Sequence, residues 1–266
     1  LGTFAGIGTL AVAHARTERH YGLFSLSAVR NDAGTHVGVV QLALGRNLAD
    51  TSIGGFQLSL TENRARSFYG IAQTTLAYNR ALDMVGVAQL ASYNRAKSFG
   101  GVAQLGAYNR TDESFTGLAQ LGAFDHARGD FEGVVQLGVV SAVGKELLGD
   151  IDRWQDPGKA RHFTGVAQLG AVTSVDGHFY GLTQAGVASY TSGTFNGLFQ
   201  IGAMGAGANK FNGIAQIGLG AISGESHGMQ IGAGAVALKE HVGVQIGGVA
   251  TYGKTVTGAQ IGVANL

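Results

Sequence analysis

The side chains with the richest ligand chemistry are gathered in one stretch. Asp150, Asp152 and Asp156 lie close together, near Glu146, and the only tryptophan and only proline of the chain, Trp154 and Pro157, sit among them. Carboxylates at this density are hard oxygen donors of the kind that hold Ca²⁺, but the spacing lacks the turn glycine and the bidentate glutamate of an EF-hand loop. The three aspartates are therefore marginal metal candidates, and no metal or cofactor is expected. The stretch reads instead as a solvated excursion or as a partner-docking loop anchored by Trp154 and Pro157, since loops inserted into regular scaffolds often carry function. Eight histidines (His14, His20, His36, His126, His162, His178, His227, His241) are scattered and mostly near turns. None forms an H-E-x-x-H pair, so they read as solvated turn residues. Cysteine is absent, which excludes a thiolate metal site, a disulfide framework and a cysteine nucleophile. No Ser/His/Asp set or paired acid–base carboxylates recur where strands would converge, so no catalysis is expected.

Glutamine recurs with far more order. It stands at Gln41, Gln57, Gln73, Gln89, Gln104, Gln120 and Gln136, then at Gln168, Gln184, Gln200, Gln216, Gln230, Gln245 and Gln260. Most steps are 16 residues and a few are 15 or 14. The surrounding phrase is G-[VLI]-[AV]-Q-[LI]-G-[AV], clearest at 101–107, 117–123, 133–139 and 165–171. Ser25 and Thr9 continue the column toward the start of the chain. The 32-residue step from Gln136 to Gln168 is two periods, and residues 149–154 fall in the missing register as a degenerate unit. The reading is a single repetitive β domain over 1–266, about seventeen units on this periodicity, with an irregular insertion or degenerate repeat at about 144–163.

Composition agrees with repetition. Of 266 residues 45 are glycine, while charged residues are only 13% and hydrophobic ones 45%. The apolar content argues against disorder, and a single proline excludes collagen. A net charge of +1 gives no electrostatic case for nucleic acid. No apolar run is long enough for a transmembrane helix. The chain begins at Leu1 without a basic segment and apolar core, so any export signal is expected to have been removed.

Each unit must be built from strand. Around Gln104, one parity holds Phe99, Gly101, Ala103, Leu105 and Ala107, and the other holds Val102, Gln104, Gly106 and Tyr108. A period of two rich in β-branched and aromatic residues argues strand. Turn clusters such as 175–177, 191–193, 223–225 and 252–254 are expected to supply the positive φ that tight reversals need. Two all-β architectures use such a unit. In a β-solenoid each unit is one coil, stacked in parallel about 4.8 Å from the next, and glutamine amides bond from coil to coil. In an antiparallel up-and-down outer-membrane barrel of about 16 strands each unit is one strand plus a turn. The solenoid is favoured. Odd and even units look alike, identical units give a barrel almost no stagger, and 15-residue steps would flip a meander strand. The barrel keeps the recurrent phenylalanines and tyrosines, which would form aromatic girdles.

The later copies, 228–232, 243–247 and 258–262 with Asn265, resemble the GVQIGLVN-type repeats of bacterial surface repeat proteins. Gln104, Gly106 and Asn109 are loosely similar to curlin repeats of the form Q-x-G-x-x-N. The resemblance implies an exported protein of the cell surface or outer membrane. The function expected is a non-enzymatic structural or adhesive repeat protein, a rod or fibre segment that associates with itself or with other envelope and surface proteins. The alternative is an outer-membrane barrel in contact with the membrane, forming a pore or a component of an envelope complex.

Overall fold

The computed structural model describes residues 2–144 and 161–266. Among these residues there is no helix, and the strand pairings within each unit are parallel. The chain is a β-solenoid, the favoured reading. A meander would pair its strands antiparallel, so the barrel is set aside. The chain forms two compact units, Leu1–Ala123 and Phe124–Leu266.

In the first unit the strands Arg30–Ala43, Arg46–Ser59, Glu62–Thr74, Tyr78–Leu90 and Tyr93–Leu105 lie side by side in chain order. Register places like on like: Asn47 beside Asn63, Gly54 beside Gly70, Gln57 beside Gln73. A 15-residue step costs nothing, because Tyr78 still faces Tyr93 and Gln89 still faces Gln104. The shortfall is taken up in a linker: two residues join Leu90 to Tyr93 where three join Thr74 to Tyr78.

The coil of Asn94 shows how the interior is filled. Asn94, Ala96, Phe99 and Gln104 are buried. Phe99 and Gln104 have opposite parity, yet both point inward, because the chain bends at Gly100–Gly101 between them. The glycines explain the bend. Gly38, Gly54, Gly70, Gly86 and Gly101 form one column, and a Cβ on any of the last four would run into the carbonyl oxygen of the glycine before it. A second column follows the glutamine, where a Cβ on Gly106 would strike the carbonyl oxygen of Ala91. The G-x-x-Q-x-G phrase is thus a short strand with an inward glutamine between two glycine corners.

In the second unit Phe131 faces Phe163, Gln136 faces Gln168 and Val140 faces Val172. The coils on either side of the 32-residue step are bonded directly to each other, and residues 149–154 lie outside the described residues. Register then continues from Gln168 to Gln184 and Gln200, and the strand Phe199–Asn265 runs on through successive coils. The turn clusters are corners of coils and not hairpins. Of their glycines only Gly177 has a positive φ, at 141°; Gly193, Gly224 and Gly253 do not.

Among the described residues the aromatic side chains form no girdle. Phe99 stacks on Phe115 with ring centroids 5.0 Å apart in the first unit. In the second, Phe131, Phe163, Phe179, Phe195 and Phe211 form one buried stack with centroid steps of 4.8 to 5.3 Å. These steps match the spacing of neighbouring strands, so the rings repeat because the coils do.

Candidate functional site

The glutamine column lies in the interior. Gln41 to Gln245 are all buried, and Gln260 is half-buried. In the first unit Gln57 Nε2 donates to Gln41 Oε1 at 2.9 Å, and Gln73, Gln89, Gln104 and Gln120 each donate to the preceding glutamine at 2.7 to 3.0 Å. In the second, Gln168 donates to Gln136 across the 32-residue step at 2.9 Å. Gln184, Gln200, Gln216, Gln230, Gln245 and Gln260 continue the chain of amides. Several also donate to backbone carbonyls, as Gln200 does to Gly207 at 2.8 Å. A buried amide has two N–H donors and must place both.

A second ladder was not anticipated. Asn31, Asn47, Asn63, Asn79, Asn94 and Asn109 are stacked in register and buried. Each of the first five donates to the Oδ1 of the next at 2.9 to 3.1 Å. Asn63 Nδ2 also reaches the carbonyls of Gln57 and Thr74, at 3.0 and 2.7 Å. The signal was present as an asparagine five or six residues after each of Gln41, Gln57, Gln73, Gln89 and Gln104. In the second unit the column passes to Ser141, Thr173 and Ser189, and Thr173 donates to Ser189 at 2.9 Å.

The histidine reading is corrected. His20, His36, His126 and His241 are buried, not solvated. Phe4, His20 and His36 occupy the phenylalanine column as a stack with 5.0 Å centroid steps. Burial, joined by the neighbouring His20, pulls the His36 pKa down to about 4. Trp154, Pro157, Asp150, Asp152 and Asp156 lie outside the described residues. Among the described residues no group of three or more His, Asp or Glu is placed to hold a metal ion.

The outer surface carries two further columns. One is aliphatic: Ile71, Val87, Val102 and Leu118 in the first unit are exposed, as are Val166, Leu182, Leu198 and Ile214 in the second. Neighbours in these rows are joined through their backbones, as Leu118 N to Val102 O and Leu198 N to Leu182 O. The other is basic: Arg64, Arg80, Arg95 and Arg110 stand in register on consecutive coils. A bulge between Thr111 and Ser114 carries Asp112, which neutralises two of them. Arg95 Nη2 meets Asp112 Oδ2 at 2.8 Å, and Arg110 Nε donates to Oδ1 at 2.7 Å. Burial raises the Asp112 pKa, but the hydrogen bonds from Arg110 and Arg95 outweigh it and hold the carboxyl below its usual range. No family model, curated protein or solved structure matches the chain.

Proposed function

We propose that this β-solenoid is a non-enzymatic structural and adhesive repeat protein of the bacterial cell surface. The observation that carries the reading is the exposed aliphatic row, repeated at one side chain per coil. A contiguous apolar surface of this kind marks an interaction site, and a spacing of about 4.8 Å per coil makes it multivalent. The interior supports the same reading. It is filled by amide ladders and ring stacks that repeat from coil to coil, which suits a stiff scaffold. The partners proposed are further copies of this chain or other envelope and surface proteins that present an apolar face.

Adsorption to alkyl-coated and hydroxyl-coated beads tests the adhesive role. The folded chain is expected to bind the alkyl surface, and the triple variant Val87→Lys, Val102→Lys, Leu118→Lys to bind it far less. Equal adsorption of both proteins would remove the role from the aliphatic row. Protease shaving of intact source cells tests location: the chain should be cleaved without lysis, and protection until lysis would reject a surface position.

A further inference from the structure

Asp112 shows what the arginine column requires. Arg95 and Arg110 stand side by side on adjacent coils, and one carboxylate spans them with an oxygen on each guanidinium. Arg64 and Arg80 stand in the same column in the same relation. Among the described residues neither guanidinium has an ion pair or hydrogen bond. The side chain two residues after Arg110 is Asp112; two residues after Arg80 it is Leu82, and two after Arg64 it is Arg66. Like charges directly opposite each other on neighbouring strands are destabilising, so this pair calls for an anion, and among the described residues no carboxylate is ion-paired to it.

Arg64 and Arg80 line an open groove of about 650 Å³ on the first unit. That size is in the range of small-molecule sites. Leu48 and Leu82 give the groove apolar wall, Arg16 and Arg66 add two further cations, and Glu18, Asp32 and Asp50 add carboxylate acceptors. The wall offers two guanidiniums for a planar carboxylate, aliphatic surface for a ring face and an acceptor for hydroxyl groups. We propose that this groove binds an acidic sugar, with its carboxylate held between Arg64 and Arg80 as Asp112 is held between Arg95 and Arg110. The guanidinium fork matches a carboxylate in a way that a lysine ammonium does not. The assignment stands apart from the adhesive reading, because it uses a different column of side chains.

Calorimetric titration of the whole chain at low salt with glucuronate, glucose, acetate and glucose 6-phosphate is the test. Glucuronate is expected to bind more tightly than the other three. The double variant Arg64→Gln, Arg80→Gln should weaken it at least about tenfold, and Arg80→Lys should weaken it while keeping the charge. Arg95→Gln, outside the groove, should leave binding unchanged. The thermal midpoint of the double variant should equal or exceed that of the parent, which separates lost binding from lost folding. No binding of glucuronate, or equal binding by the double variant, would overturn the site. Glucose or acetate binding as well as glucuronate would overturn the acidic-sugar assignment, and tighter binding of glucose 6-phosphate would overturn the carboxylate.

Discussion

Gln57 and Asn63 are bonded to each other and yet send their amides in opposite directions along the stack. Asn63 Nδ2 donates to the Gln57 carbonyl at 3.0 Å. Gln57 Nε2 donates back to Gln41, toward the start of the chain, whereas Asn63 Nδ2 donates forward to Asn79. The two ladders of the first unit therefore run antiparallel as dipoles within one coil stack. Chains of hydrogen bonds polarise one another in a low-dielectric interior, and opposed ladders keep that polarisation from accumulating at one end.

Cutting a ladder strands its neighbours. In a Gln89→Leu variant, Gln104 Nε2 loses its acceptor and Gln73 Oε1 loses the donor from Gln89. Each stranded buried group costs about 1–3 kcal/mol, so a loss of roughly 2–6 kcal/mol is expected from the two. In a linear stack each coil depends on its neighbours, so the damage should be local. Hydrogen exchange should speed up over 78–105 and stay unchanged over 161–266. Uniform loss of protection would show instead that the whole chain unfolds as one cooperative body.

The ladder also has a weak rung. Ser25 stands in register with Gln41 but is too short to continue the column, and Gln41 Nε2 is buried without a partner. Ser25→Gln would bring an Oε1 to that donor. A gain of about 1 kcal/mol is expected from satisfying it, read as a higher denaturation midpoint. A lower midpoint would mean that the longer side chain does not fit beside His20 and Asn31.

His36 makes the first unit sensitive to acid. Its folded pKa of about 4 lies below the ordinary 6.5, because burial and His20 both oppose the charged ring. The unfolded chain therefore binds more protons between these values, and stability falls as pH drops from about 6.5 to about 4. The full loss is about 3 kcal/mol for a shift of this size. His36→Phe would continue the aromatic column without a titrating ring and should flatten the profile over that window. An unchanged profile would place the acid sensitivity elsewhere.

The stacking period and the parallel coil were legible because glutamine and glycine recur at fixed distances, and those are the residues that make the interior bonds and the corners. The inward face was harder to read. A strict alternation puts Phe99 and Gln104 on opposite sides, and only the bend at Gly100–Gly101 brings both inside. The buried histidines were hidden for a related reason. His20 and His36 look like turn residues until the Phe68–Phe99–Phe115 column is extended backward by register. The asparagine ladder was written openly at Asn31, Asn47, Asn63, Asn79, Asn94 and Asn109, but the eye follows the glutamines. The Arg64–Arg80 relation was written as the Asn-Arg pair that recurs at 63–64, 79–80, 94–95 and 109–110, but it joins residues on different coils and follows only once the stacking register is known.

Gly54 and Gly234 give the corner argument a direct test. Gly54 sits at φ 149°, and a Cβ there would overlap the carbonyl oxygen of Gly38. Gly234 has no positive φ and nothing within 4 Å of where a Cβ would lie. Alanine at a compatible position stabilises by about 0.4–1 kcal/mol, because it restricts the unfolded chain, whereas at a positive-φ position it costs more than that. Gly234→Ala should therefore raise the denaturation midpoint slightly. Gly54→Ala should lower it by more than about 1 kcal/mol, with faster hydrogen exchange in the strands Arg30–Ala43 and Arg46–Ser59. Were both substitutions neutral, the corners would not depend on glycine, and its recurrence in the G-x-x-Q-x-G phrase would need another cause.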